Sequence, residues 1–147
     1  YADMVRRICF IHLRNRSDIE DVFQEVFLQY YLNADKFQNE QHEKAWICRV
    51  TFNKCKDLNK SFWRKRVVAL DDNLEISYES EEQSELIEAL LQLPDKDRDV
   101  IYLHYYEGWP IPKIAEILHE NVNTVYSRLR RAKEKLKIKE EVIEWNG

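Results

Sequence analysis

Residues 111–139 read IPKIAEILHENVNTVYSRLRRAKEKLKIK, two amphipathic helical patterns separated by three polar residues. In the second pattern Val122, Val125, Leu129, Ala132 and Leu136 recur at helical spacing, which predicts one stripe seated on a core. The other side then carries Asn123, Thr124, Ser127, Arg128, Arg131 and Lys135. From Val122 to Lys139 there are seven Lys or Arg and one acid, Glu134, within a chain of net charge −4. Short polar side chains come first and cations later. That order suits a helix entering the DNA major groove N-terminus first, with hydroxyls and amides near base edges and cations near phosphates. Ile111, Ile114, Ala115 and Leu118 form the earlier stripe. The intervening His119-Glu120-Asn121 contains no glycine, but Asn121 is a good N-cap for the helix after it. The pair reads as a helix-turn-helix that binds DNA; the competing reading is a structural hairpin with a solvated basic face.

At 147 residues and 44% hydrophobic content, the chain can bury one moderate core or two small ones. Two fit better, because Asp71 to Glu85 holds seven acids and no base and separates segments of mixed or basic charge. The expected organisation is a first domain over 1–66, an acidic linker over 67–85 and a second domain over 86–147. The overall acidity hides a basic first domain: Tyr1–Arg66 has thirteen Lys or Arg against nine acids. Two Gly and three Pro, with abundant Leu, Ile, Lys and Glu, predict an all-α protein. No window approaches the ~18 apolar residues of a membrane span and no signal-peptide pattern opens the chain, so a cytoplasmic protein without membrane insertion is expected. Cys48 and Cys55 lie two turns apart on one predicted helix, roughly 10 Å, too far to bridge. With Cys9 they read as reduced core thiols. No cofactor or metal is expected, since neither Cys nor His spacing supplies convergent ligands. His12, His42, His104 and His119 are dispersed, and there is no phosphate loop or nucleophile elbow, which argues against an enzyme.

In the first domain, Ser17 with Glu20 predicts a capping box that opens a helix running to Asn33. Ile19, Val22, Phe23, Val26, Phe27 and Tyr30 make its core stripe, and Asp21, Gln24, Glu25 and Leu28 converge on the opposite side. That side fits either a solvated face with one exposed leucine or a docking surface for a partner helix. A further helix is predicted over Glu43–Arg66, with Ile47, Cys48, Thr51, Cys55, Leu58 and Phe62 buried. Arg49, Asn53, Lys56 and Lys60 form a stripe beyond that set, with Trp46 at its N-terminal end and Trp63-Arg64-Lys65-Arg66 closing the helix. An aromatic beside cations suits single-stranded nucleic acid, ring faces meeting bases and cations meeting phosphates. Alternatively Trp46 packs on a neighbouring helix and the cations are solvated.

Together these features resemble a bacterial RNA polymerase sigma factor of the extracytoplasmic-function group, over nearly the whole chain except the linker. Asp18-Ile19-Glu20-Asp21-Val22-Phe23-Gln24-Glu25-Val26-Phe27 is similar to the family's polymerase-binding helix, and Trp46 through Asp57 to its promoter-melting helix. Leu93-Pro94, Tyr105-Tyr106-Glu107-Gly108 and Ile114-Ala115-Glu116-Ile117-Leu118 precede Thr124-Val125-Tyr126-Ser127-Arg128-Leu129-Arg130-Arg131-Ala132, which follows the recognition-helix pattern. The resemblance implies that Asp21, Gln24 and Glu25, with Leu28 beside them, meet the coiled coil of the largest subunit of core RNA polymerase. It implies that Asn53 receives a flipped base of the minus-ten element, flanked by Trp46, Arg49, Lys56 and Lys60. Thr124, Ser127, Arg128 and Arg131 align with positions reading the minus-thirty-five element of promoter DNA; Asn123, Tyr126, Arg130 and Lys135 complete the candidate set. Capturing unstacked bases offsets part of a flipping cost of a few kcal/mol, so strand opening needs no covalent chemistry.

Three departures stand out. Tyr126 replaces a Lys or Arg common in the family, Glu120 replaces an apolar residue, and Pro110 and Pro112 open the first helix of the motif, which is tolerable because first-turn amides lack intrahelical partners. The helical pattern is already under way at Tyr1, so a short preceding segment is expected. The region from Val67 to Glu85 is expected to be an extended, self-repelling tether. A dedicated anti-sigma factor is expected to clamp the domains, with screening of Arg49, Lys56 and Lys60 by the linker as the alternative. The rival to the whole reading is a stand-alone helix-turn-helix repressor or activator. Such a protein has no need of the Asp21 face or the Asn53 stripe.

Overall fold

Asn15 decides where the second helix begins: its side chain accepts from the backbone N–H of Ser17 at 2.8 Å and of Asp18 at 3.3 Å. The helix starts at Arg16, so Ser17 is not the cap that the sequence predicts; an Asn two residues upstream satisfies the orphan donors first. The structure, a computed structural model, describes residues 1–13, 15–65 and 81–136, without the side chains of residues 60–65, 81–84 and 86. Every regular element among the described residues is helical. The chain divides into two compact units, Tyr1–Ser77 and Tyr78–Gly147.

The first unit holds α1 (Ala2–His12), α2 (Arg16–Asn33) and α3 (Glu40–Lys65), each packed on the other two. Met4, Val5, Ile8, Cys9 and Ile11 of α1 meet Ile19, Val22 and Val26 of α2 and Ala45, Ile47, Cys48, Phe52 and Cys55 of α3 in one core. Burying a side chain such as Phe52 stabilises by about 1.5–3 kcal/mol. Thr51 is tolerated there because its hydroxyl donates to the Ile47 carbonyl at 2.7 Å. All three cysteines are free and buried, with the Cys55 and Cys9 sulfurs 4.0 Å apart and Cys48 Sγ 3.7 Å from Met4 Sδ. Asn59 of α3 donates to the His12 carbonyl at 3.2 Å and so closes the open end of α1. Leu58, expected in the core, is only half-buried; Phe52, adjacent to the predicted set, is buried instead.

The second unit holds α4 (Glu81–Leu90), α5 (Asp95–Ile101), α6 (Ile111–Leu118) and α7 (Val122–Lys135). Glu81–Glu85, the end of the stretch read as an extended tether, are therefore helical. Acids are favourable in a first turn and Glu and Gln are good helix formers, which outweighs their mutual repulsion. The remainder of that tether, residues 67–80, lies outside the described residues, as do Arg66 and 137–139. α5 continues into a π-helical turn, Tyr102–Tyr106, closed by Glu107 N–H donating to the Tyr102 carbonyl at 3.2 Å. The turn buries Tyr102, whose hydroxyl donates to Glu107 Oε1 at 2.9 Å. Gly108 then takes φ +79°, a region in which glycine carries no Cβ penalty, and the reversal brings Trp109 back under the helix with its N–H on the Leu103 carbonyl at 3.0 Å. α7 packs on α5 and α6 through Val125, Leu129, Ala132 and Leu136.

Candidate nucleic-acid interface

The turn between α6 and α7 works without glycine because His119 takes the left-handed conformation itself, φ 54° and ψ 46°. Glu120 N–H donates to the Ala115 carbonyl at 2.9 Å and His119 N–H to that of Glu116 at 3.4 Å, the paired bonds of a Schellman motif. An apolar residue commonly follows the left-handed one to cover the helix end; here it is Glu120, which reaches Arg128 of α7 instead, 3.0 Å away. Asn121 caps α7 as expected, accepting from Asn123 N–H at 2.8 Å.

On α7 the stripe is buried from Val125 onward, but Val122 is 48% exposed. It stands in the first turn, at the edge of the stripe by helical angle, and is not part of the core. Asn123, Tyr126, Arg130, Arg131 and Lys135 are exposed, and Thr124 and Ser127 half-buried. Three of the predicted DNA-binding cations have protein partners. Arg128 has a side chain only 13% exposed through its pair with Glu120. Arg131 and Lys135 both reach Asp97 of α5, at 3.4 and 3.2 Å, while keeping roughly half their surface open. Arg128 therefore flanks the core, whereas Asn123, Ser127, Arg130 and Arg131 stand furthest from the buried stripe. The resulting surface suits a duplex: polar groups at the N-terminal end and cations further along.

The first unit presents two separate faces. Along α2, Asp21, Gln24 and Leu28 are exposed, and Tyr31 and Leu32 prolong the same side by another turn, 78% and 59% exposed. Those two were not singled out in the sequence, although they fall ten and eleven residues after Asp21, on its side of the helix. Glu25 is half-buried, paired with Lys54 of α3 at 3.4 Å and accepting from Gln29 at 3.4 Å. Along α3, Asn53 is exposed and Arg49 and Lys56 half-buried; Lys60 lies on the same helix, its side chain outside the described residues. Trp46 is half-buried, with its ring centroid 5.2 Å from that of Phe37, which stacks in turn on Tyr30. Trp46 thus rests on an aromatic ring of the connection between α2 and α3 rather than on a neighbouring helix, and its own ring remains partly open. A hydrogen bond to Glu43 raises the Tyr30 phenol above its ordinary pKa. Among the described residues no group of His, Cys, Asp or Glu is arranged to hold a metal ion, and no helix is long and apolar enough to cross a membrane.

Comparison with known proteins gives concordant matches. Residues 1–67 match the family model for sigma-70 region 2, and residues 83–136 the model for sigma-70, region 4. The chain is 30% identical to the ECF RNA polymerase sigma factor SigW of Bacillus subtilis, over 93% of this chain and 83% of that protein. It is 28% identical to the RNA polymerase sigma factor SigV of the same organism, over 90% and 81%. Among solved structures, it resembles the sigma factor RpoE of Bartonella quintana, crystallised with the anti-sigma factor NepR, with TM-score 0.67 and 21% identity over 97% of this chain and 91% of that one. It also resembles CnrH, in complex with the cytosolic domain of CnrY, with TM-score 0.58 and 25% identity over 95% and 79%.

Proposed function

Because the chain belongs to the sigma-70 family, in its extracytoplasmic-function group, and is a promoter-specificity subunit of RNA polymerase, we propose that its surfaces divide the work of initiation as follows. The exposed side of α2, Asp21, Gln24 and Leu28 with Glu25 at its edge, docks on the coiled coil of the largest subunit of core polymerase. The Arg49, Asn53 and Lys56 side of α3, continued by Lys60 and headed by Trp46, takes unstacked bases and phosphates of the minus-ten strand. α7 reads the minus-thirty-five element. Residues 1–66 and the unit that includes α4 to α7 act as the two functional domains, with α4 belonging to the second, and the acidic stretch before α4 acts as their connection. The protein works in the cytoplasm, where the chromosome is, and performs no covalent chemistry of its own.

The observation that carries this reading is the number of distinct faces, two on the first unit and one on the second. A helix-turn-helix repressor requires only the α7 face. This protein also presents an apolar-acidic strip along α2 and a polar-cationic strip along α3. Base capture supplies a driving force for opening, since each captured base offsets part of the few kcal/mol spent in unstacking it. An anti-sigma factor that covers the α2 face and the basic helices would keep the protein inactive. Reconstitution with core RNA polymerase, followed by run-off transcription from a promoter library, tests the assignment. Recovery of promoters sharing two spaced elements is the expected result. Sequence-specific DNA binding without any association with core polymerase would return the protein to the repressor reading.

A further inference from the structure

We propose that Asp97 is a positioning residue for promoter discrimination, holding Arg131 and Lys135 of α7 with one carboxylate so that both meet the duplex in a fixed geometry. The inference rests on the reading of α7 as the minus-thirty-five helix. Asp97 belongs to α5, outside the helix-turn-helix hairpin, and its side chain is 6% exposed. Its Oδ1 accepts from Arg131 Nη2 at 3.4 Å and its Oδ2 from Lys135 Nζ at 3.2 Å. Residues four apart on a helix stand one above the other, so the two oxygens of a single carboxylate serve both cations. A carboxylate removed from water is costly unless paired, which holds the contacts from the Asp97 side. The cations nevertheless keep 55% and 49% of their side-chain surface open. Arginine carries five N–H donors and lysine three, so each retains donors for a second acceptor.

Two consequences follow for DNA. Long side chains that roam in the free protein lose rotamer freedom on docking; tethered ones have lost part of it already. Fixed donors favour the register in which base and phosphate acceptors coincide with them. The Asp97 charge also offsets one of the two cations, which weakens the sequence-independent attraction to phosphates. Both effects raise the ratio of specific to non-specific binding.

Asp97→Asn retains the shape of the side chain and removes its charge. Holoenzyme reconstituted with each variant is titrated, across a salt series, with a promoter duplex selected by the wild-type holoenzyme and with the same duplex carrying a scrambled minus-thirty-five element. For Asp97→Asn, affinity for the scrambled duplex should rise, the ratio between duplexes should fall about tenfold, and the salt slope on the scrambled duplex should steepen by about one. Asp97→Glu, which keeps the charge, should restore most of the ratio. An unchanged ratio and slope in a folded Asp97→Asn variant would overturn the inference while leaving α7 as the reading helix. A wild-type holoenzyme indifferent to the scrambling would overturn that reading, and the inference with it. If Asp97→Asn does not fold, the heteronuclear NOE of the Arg131 Nε–H group in the wild-type protein decides. An ordered guanidinium supports the tether, and one as mobile as an unpaired surface arginine refutes it.

Discussion

Arg128 turns its guanidinium back into the helix-turn-helix turn, where Nη1 lies 3.0 Å from Oε1 of Glu120. The residue directly precedes buried Leu129 and follows buried Val125 by three, so it flanks the core stripe. Its pair with Glu120 occupies the place where an apolar contact commonly covers the end of the preceding helix. Arg128→Ala is therefore expected to lower the stability of the second unit by ~1 kcal/mol, with little change in base preference. Glu120→Ala should cost a similar amount, and the double variant less than the sum of the two. Urea unfolding followed through the backbone amides of residues 111–136 measures the cycle. A base-specific loss for Arg128→Ala without a loss of stability would reverse the assignment.

Arg131 is different because about half of its side chain stays open beyond the Asp97 contact. Arg131→Ala should weaken minus-thirty-five recognition by ~1–3 kcal/mol on particular sequences if the guanidinium meets a base, and uniformly if it meets a phosphate. Binding curves on variant promoters separate the two. No change on any sequence would remove Arg131 from the interface.

His119 holds a left-handed backbone, φ 54° and ψ 46°, that costs a residue with a Cβ roughly 1–2 kcal/mol. Replacing it with glycine should stabilise the second unit by about 1 kcal/mol, because the Schellman bonds involve the backbone alone. Valine at the same position should destabilise it by more than glycine stabilises it, since a β-branched residue at positive φ is an outlier. Unfolding midpoints of the two variants provide the check.

The helix-turn-helix was legible because its signals are local and repeat: two stripes at helical spacing and an Asn at the start of the second. Where two local signals competed, the sequence did not rank them. Asn15 and Ser17 are both good caps, and the helix uses the earlier one. Glu81–Glu85 have both the charge of a tether and the propensity of a helix, and the helix prevails. The exposed side of α2 is legible as the positions opposite its core stripe, but its apolar extension at Tyr31 and Leu32 carries no charge to mark it as part of that face. What periodicity cannot show is pairing between distant residues. Nothing near Asp97 indicates that it would meet Arg131, thirty-four residues on, or that Glu25 would meet Lys54. Trp46 likewise has an environment set by Phe37, which lies on another part of the chain.

Asn53 is exposed on α3, one turn from half-buried Arg49 and close to Lys56, and it contributes nothing to the core. Asn53→Ala should leave polymerase binding and stability unchanged, slow promoter opening and relax the preference at one minus-ten base. Permanganate footprinting of open complexes is the measurement. Opening at the wild-type rate, with wild-type base preference, would show that Asn53 does not receive a base.

The α2 face separates the present reading from every simpler DNA-binding one. Leu28, Tyr31 and Leu32 are large, apolar and exposed on consecutive turns, next to Asp21 and Gln24. Single exposed leucines are ordinary, but a strip of three at helical spacing with acids at one end is suited to an amphipathic partner helix. Apolar burial would supply the affinity and the acids the orientation. Leu28→Ser is thus expected to weaken association with core polymerase at least tenfold, because burying one leucine is worth about 1.5–3 kcal/mol. Asp21→Lys should act mainly on the association rate and more strongly at low salt. Glu25→Gln should have a smaller effect, since that carboxylate is already engaged by Lys54. Helicity should be intact in all three, as none of these side chains enters the core. Competition assays with labelled core polymerase, with circular dichroism as the control for folding, measure each effect. If Leu28→Ser and Asp21→Lys form holoenzyme as readily as the wild type, the strip is solvated surface and polymerase docks elsewhere.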